Sequence, residues 1–146
     1  MKVAIASDHA GFWLKEIIKK YLDRKKIEYK DFGAYSEESI DYPDTAAPAA
    51  RAVAAGEFDR GILICGSGVG VCIVANKVKG IRAVQAYDTY VAKQSREHGN
   101  CNVLCLAGRK LSKAKGTRIV DVWLKTDFSF DERHQRRLKK IEDMEA

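Results

Sequence analysis

The chain has 146 residues, of which 46% are hydrophobic, 32% are charged and only two are proline; it is long enough to bury one core and too apolar to stay disordered. Its formal net charge of +6 favours an anionic partner, whether a phosphorylated small molecule, a nucleic acid or an acidic membrane surface. Much of that excess is assigned to the basic run Arg133–Lys140, and so says little about the body of the domain. No apolar run approaches the ~20 residues of a membrane span, and no signal-peptide core follows Met1-Lys2-Val3. Cys65, Cys72, Cys101 and Cys105 include no C-x-x-C pair. A reduced, cytoplasmic protein with free thiols is expected.

In chain order, Lys2–Ala6 reads as a short buried strand that ends at Ser7-Asp8-His9-Ala10-Gly11. Apolar residues at Phe12, Leu14, Ile17, Ile18, Tyr21 and Leu22 then follow a helical period, with lysines and arginines on the other face. Ile27–Phe32 is a second strand, closed by Gly33. A polar loop over Ser36–Asp44 leads into an alanine-rich helix, Thr45–Ala55. Gly61–Cys65 is a third strand, followed by the glycine cluster Gly66-Ser67-Gly68-Val69-Gly70 and a helix over Val71–Val78. Gly80–Gln85 and Asn102–Ala107 are strands four and five, with a helix over Asp88–Glu97 between them. Helices over Ser112–Lys125 and from Asp131 onward complete the chain.

This alternation predicts one α/β domain over residues 1–146. It is a doubly wound, Rossmann-like, five-stranded parallel sheet with helices on both faces and an extra C-terminal helix. Ligands of such sheets bind at the carboxyl ends of the strands. The residues to inspect are therefore Asp8-His9, Cys65-Gly66-Ser67, Tyr87-Asp88 and Gly108-Arg109. The final helix has no strand to return to, which leaves it free to pack across a neighbouring subunit.

Cys65 stands where a strand meets a glycine turn and a helix N-terminus, a setting that makes a thiolate available as nucleophile or base. The other three cysteines lack that setting and are expected to pack as small hydrophobes. The turn departs from a dinucleotide fingerprint, because Val71 stands where G-x-G-x-x-G requires glycine. It fits an anion nest for an oxyanion or a sugar hydroxyl. His98 has the chemistry of a proton donor near neutral pH. Arg133 and Arg137, four apart, share a helix face and suit a phosphate clamp, although a solvated basic face has the same pattern.

Taken together, Ser7-Asp-His-Ala-Gly11, Asp41-Tyr-Pro-Asp44, Gly61–Gly70, Ala75-Asn-Lys77, Gly80-Ile-Arg-Ala83 and Arg133-His-Gln-Arg-Arg137 resemble the ribose-5-phosphate isomerase B family nearly end to end. That family also includes the galactose-6-phosphate isomerase subunits. The resemblance implies an aldose–ketose isomerase of the pentose phosphate pathway. It would need no metal or organic cofactor, would act on a phosphorylated sugar, and would form a homodimer or homotetramer with shared sites. Nucleic acid and membrane are not expected partners. By the same resemblance Cys65 is the base that moves a proton between C2 and C1. Some relatives use a glutamate at the position held here by Val71. Ser67 and the amides of Gly66, Gly68, Val69 and Gly70 would stabilise the enediolate. His98 would open the sugar ring, with Asp8 as a partner on the sugar, and Tyr42 would line the substrate. His9, Arg109, Arg133 and Arg137 would hold the phosphate. Relatives commonly carry asparagine after the equivalent of His98, where this chain has Gly99; Asn100 is the nearest substitute. Ribose 5-phosphate is the leading substrate, with allose 6-phosphate, galactose 6-phosphate or a tetrose phosphate as alternatives. A protein that binds a sugar phosphate without turnover is the rival from another class.

Overall fold

The computed structural model describes residues 1–145. Five strands alternate with helices: β1 (Lys2–Ser7), α1 (Phe12–Arg24), β2 (Glu28–Asp31), α2 (Pro43–Ala54), β3 (Arg60–Cys65), α3 (Val69–Asn76), β4 (Ala83–Gln85), α4 (Thr89–Glu97) and β5 (Val103–Ala107). Two helices close the chain, α5 (Lys113–Lys125) and α6 (Glu132–Asp143). All pairings are parallel, in the order β2-β1-β3-β5-β4. The α/β class, the five parallel strands and the extra helix agree with the expectation from sequence.

The inner strands β1, β3 and β5 are buried almost throughout and read as unbroken apolar runs, as strands covered on both faces must. Val3, Ile5, Ile62, Ile64, Leu104 and Leu106 face α1, α4 and α5, with Trp123 fully buried among them. Ala4, Ala6, Leu63, Cys65, Val103 and Cys105 face α2 and α3. Connections running toward β2 carry their helix on one face and those running toward β4 carry it on the other, as a single crossover hand requires. The chain leaves β1 and β3 in opposite directions, so the switch point lies between their carboxyl ends.

Element ends shift where local chemistry overrides the pattern. α2 starts at Pro43, whose missing N–H costs nothing in the first turn. α3 starts at Val69, because Gly68 in the left-handed region (φ 79°) is its N-cap. β4 shortens to three residues; Gly80 and Arg82 are held instead by the Asn102 carboxamide, which bonds both of their backbones. Asp88, Ser112 and Asp131 accept from backbone amides and cap α4, α5 and α6.

Two buried cations fix the edges of the sheet. Lys15 is fully buried and donates to both oxygens of Asp31 (2.7 and 3.0 Å) and to the Ala34 carbonyl, tying α1 to the segment that leaves β2. At the opposite edge Arg60 donates to the carbonyls of Trp123 (2.9 Å) and Leu124 (3.2 Å) at the end of α5. Burial and the neighbouring Arg96 charge push the Arg60 pKa down to about 10, so it stays charged at neutral pH.

Candidate active site

The first cluster forms at the carboxyl edge. Ser7 pairs in register with Ile64, and the Asp8 amide donates to the Ile64 carbonyl (3.2 Å), which sets Asp8 beside Cys65. The Asp8 carboxylate is buried, and one oxygen caps the Gly11 amide (3.0 Å). His9 is half-buried, and its Nδ1 accepts from the Ile40 amide (3.2 Å), which directs a neutral ring's proton to Nε2. From the β5 side, the Gly108 amide donates to the Cys65 carbonyl (2.7 Å) and the Arg109 amide to the Gly66 carbonyl (3.1 Å). A Cβ on Gly66 would lie 3.2 Å from the Arg109 guanidinium, so that exposed cation covers the turn.

The turn is shaped around the thiol. Cys65 is 4% exposed, and its Sγ accepts from the Gly68 amide (3.2 Å) at the start of α3. Gly68 has both a positive φ and no room: a Cβ would meet Gln85 Nε2 at 2.9 Å and the Leu106 carbonyl carbon at 3.0 Å. Gln85 donates to the Ser67 carbonyl and to the Tyr87 hydroxyl (2.7 Å), clamping the turn to the end of β4. The Tyr42 ring lies against Gly70, where a Cβ would come within 2.6 Å of it. Ser67 and Val69 are exposed, with the Ser67 hydroxyl accepting from the Val69 amide (3.2 Å).

The second cluster lies elsewhere. α4 runs back from the carboxyl edge, so His98, its C-cap, ends near the start of β5. Cys65 pairs with Ala107 and Gly61 with Val103. The two clusters are thus separated by at least the length of β5, about 13 Å at ~3.3 Å per residue. The His98 ring stacks on His134 of α6, with centroids 4.2 Å apart and planes at 30°. The Ser129 amide also donates to the Glu97 carbonyl (3.1 Å), so the final helix rests in part on its own chain. Arg133 and Arg137 project from this helix and are exposed. Of the residues named from the sequence, Cys65, Ser67, Gly66, Gly68, Val69, Gly70, Asp8, His9, Tyr42 and Arg109 come together. His98, Asn100, Arg133 and Arg137 form a separate group at the amino edge.

Asn100 holds its own turn. It adopts a positive φ of 43°, its carboxamide oxygen accepts from Arg96 (3.0 Å) and its carbonyl accepts from Arg82 (3.0 Å), leaving only Nδ2 for a ligand. A side chain at Gly99 would come within 3.0 Å of the Ser95 carbonyl and 3.2 Å of Cys101 Sγ, so an asparagine there requires a shifted backbone.

His134 and Gln85 escaped the sequence reading. His134 is buried between two basic positions and its Nδ1 lies 2.7 Å from Ser129 Oγ; burial, His98 and Arg133 all lower its pKa. Nothing in the spacing of the basic run signalled a ring beside His98. Cys72 packs against the core as expected, with one further property. It is half-buried, and hydrogen bonding with Cys105, helped by Asn76, brings its pKa down to about 7 against the opposing effect of burial. Burial pushes Cys101 up to about 11 and Cys105 well above the ordinary thiol value.

A family model described as Ribose/Galactose Isomerase matches residues 3–141. The chain belongs to that family. It is 44% identical over 144 residues to ribose-5-phosphate isomerase B of Escherichia coli, covering 99% of this chain and 96% of the relative. It is 41% identical over 130 residues to a D-erythrulose-4-phosphate isomerase of Pectobacterium atrosepticum, covering 88% of this chain and 85% of the relative. The solved structure of Clostridium thermocellum ribose-5-phosphate isomerase B superimposes with a TM-score of 0.97 at 46% identity, covering 99% of this chain and 97% of that one. The chain is a sugar-phosphate isomerase of the ribose-5-phosphate isomerase B type. Among the described residues no helix is long and apolar enough to cross a membrane.

Within this isomerase the carboxyl edge offers one thiol, the glycine turn that opens α3 and two nitrogenous side chains, His9 and Arg109. Such a set can take a proton from carbon and receive charge on oxygen, which is the chemistry of an enediolate. The amino edge offers imidazoles and guanidinium groups suited to a phosphate and to a hydroxyl proton.

Proposed function

We propose that the chain interconverts ribose 5-phosphate and ribulose 5-phosphate, with Cys65 as the base. The Cys65 thiolate takes the proton from C2; the C–H pair becomes the C1–C2 double bond, and the carbonyl pair moves onto O1. The amides of the Gly66–Gly70 turn, with Ser67, face the oxygens on which that charge develops. The thiol then returns its proton to C1 while the O2 proton passes to O1, so that the O2 pair closes to the ketone and O1 stays on C1 as a hydroxyl. A carbon acid beside a carbonyl is far too weak for a thiolate alone, so stabilisation of the enediolate must supply much of the barrier reduction.

The observation that carries this reading is the Cys65 sulfur held by the Gly68 amide (3.2 Å) at a helix start, with no acid at Val71. His98, Arg133 and Arg137 enter through a second copy of the chain, whose amino edge completes the site as a homodimer or a homotetramer. The split of the candidate residues between two edges supports that arrangement.

A tetrose phosphate is the second reading, favoured by the likeness to a relative named for D-erythrulose 4-phosphate. Purified protein assayed on a panel of ribose, allose, galactose and tetrose phosphates separates the two. Highest kcat/KM on ribose 5-phosphate, lost in Cys65→Ala, supports the first; highest kcat/KM on the tetrose phosphate replaces it. Binding of every sugar phosphate without turnover overturns both.

A further inference from the structure

The excess positive charge does not come from α6. Residues 131–145 carry five basic and five acidic side chains, so the excess assigned to that region cancels. Residues 109–125 carry six basic residues against one acidic, and residues 12–26 carry six against two. These segments contain α5 and α1, which pack together on one face of the sheet. Along them runs an open groove of about 650 Å³ lined by Tyr21, Arg24, Lys25, Lys113, Arg118 and Asp121. None of these residues belongs to either candidate cluster.

The cations of the groove are uncompensated. Among the described residues, Arg24, Lys25, Lys113 and Arg118 form no ion pair with a carboxylate. The one carboxylate, Asp121, is already engaged: it accepts from the Tyr21 hydroxyl (2.5 Å) and from Lys125 (2.9 Å). Burial and Asp121 raise the Tyr21 pKa, which keeps that hydroxyl a donor. Four like charges along one groove, whose single carboxylate is already engaged, repel one another, and a multivalent anion relieves that repulsion.

We propose that the α1–α5 groove is a second anion site, distinct from the isomerase site, that takes a short chain of linked phosphates. Arg24 and Arg118 supply planar forks that match phosphate oxygens, while Lys25 and Lys113 act as point charges. Asp121 keeps the phosphates away from its end of α5. A nucleoside triphosphate and inorganic triphosphate share this chemistry. A nucleic acid is less well matched, because none of the exposed aromatic residues Trp13, Tyr35, Tyr42, Tyr87, Tyr90 and Phe130 lines the groove, which leaves bases no stacking platform.

Calorimetric titration of the whole protein with inorganic triphosphate at low salt tests this. The double variant Arg24→Ala/Arg118→Ala is expected to bind at least about tenfold more weakly, and Arg133→Ala/Arg137→Ala within about twofold of wild type. Ribose 5-phosphate is expected not to compete, and ATP to compete. Both substituted positions are exposed; if the double variant fails to fold by circular dichroism, Lys113→Gln gives the same readout. No binding in the wild type, loss of binding in the α6 variant, or competition by ribose 5-phosphate overturns the proposal. So does tighter binding of a ~20-nucleotide single strand through the same residues, which assigns the groove to nucleic acid.

Discussion

The two edges of the sheet carry opposite backbone charge and are furnished accordingly. At the amino edge helices end, and their last carbonyls lack partners. Three arginines supply them: Arg60 bonds the end of α5, Arg82 bonds Gly99 and Asn100, and Arg96 bonds Cys101 and Thr126. At the carboxyl edge helices begin, and the N–H groups that open α3 gather around Cys65, that of Gly68 donating to its Sγ. Arg60, Arg82 and Arg96 are therefore structural residues, whereas Arg109 at the carboxyl edge and Arg133 and Arg137 on α6 are exposed and available to a ligand. Residue type alone does not separate the two uses; engagement with the last carbonyls of a helix does.

The strongest way to break this contrast is Cys65→Ala. It should lower kcat by about 10²–10⁴, the usual worth of a positioned acid–base group, with a nearly unchanged urea midpoint. Retained activity in a folded variant removes Cys65 as the base. Lys15→Met addresses the fully buried cation that the carboxyl edge uses for structure. Asp31 keeps Lys19 (2.9 Å) and the Gly33 amide (2.8 Å) in that variant, so the loss in equilibrium urea unfolding should be about 1.5–3 kcal/mol, the worth of hydrogen bonds to a charged group; a loss under about 1 kcal/mol shows the pair to be incidental. Arg60→Met should cost about 2–3 kcal/mol through its two bonds to α5, with kcat unaltered in the folded fraction. A large fall in kcat for that variant erases the distinction between the edges.

Mixing tests whether the two edges meet across copies. Cys65→Ala and His98→Gln, each nearly inactive alone, should regain about a quarter of wild-type activity after unfolding and refolding together, since half of random dimers carry one intact site. No recovery argues that each chain works alone. The smallest effect concerns acid. Burial alone would raise the Asp31 pKa, but Lys15, Lys19 and the Gly33 amide outweigh it and hold it below the ordinary value. Its stabilisation is complete above the ~3.9 of an unfolded aspartate and is lost as pH falls through the lower folded value. An Asp31→Asn variant should therefore show a flatter decline in stability below about pH 4 than the wild type.

The fold was legible because each strand and helix announces itself locally, by an unbroken apolar run or a helical period. What stayed hidden depends on distant partners. The insertion of β5 between β3 and β4 has no local mark. The Asn102 carboxamide, twenty and more residues away, is what removes Gly80 to Arg82 from β4. In the candidate site, Cys65 and the glycine turn could be found because they are contiguous in sequence. The stack of His98 on His134 and the clamp from Gln85 could not, because they join elements far apart in the chain. The charge of α6 misled for a simpler reason: its acids flank its bases, and only the whole segment cancels.

The chain offers two very different thiols to a reagent in solution. Cys72 is half-buried, with Cys105 and Asn76 holding its pKa below the ordinary thiol value, whereas Cys65 is 4% exposed. An alkylating reagent therefore labels Cys72 first. Early incorporation of one label with activity intact reports on α3, not on the base, and inactivation should track only the slower adduct. Cys72→Ser gives the background in which thiol chemistry reads out Cys65 directly.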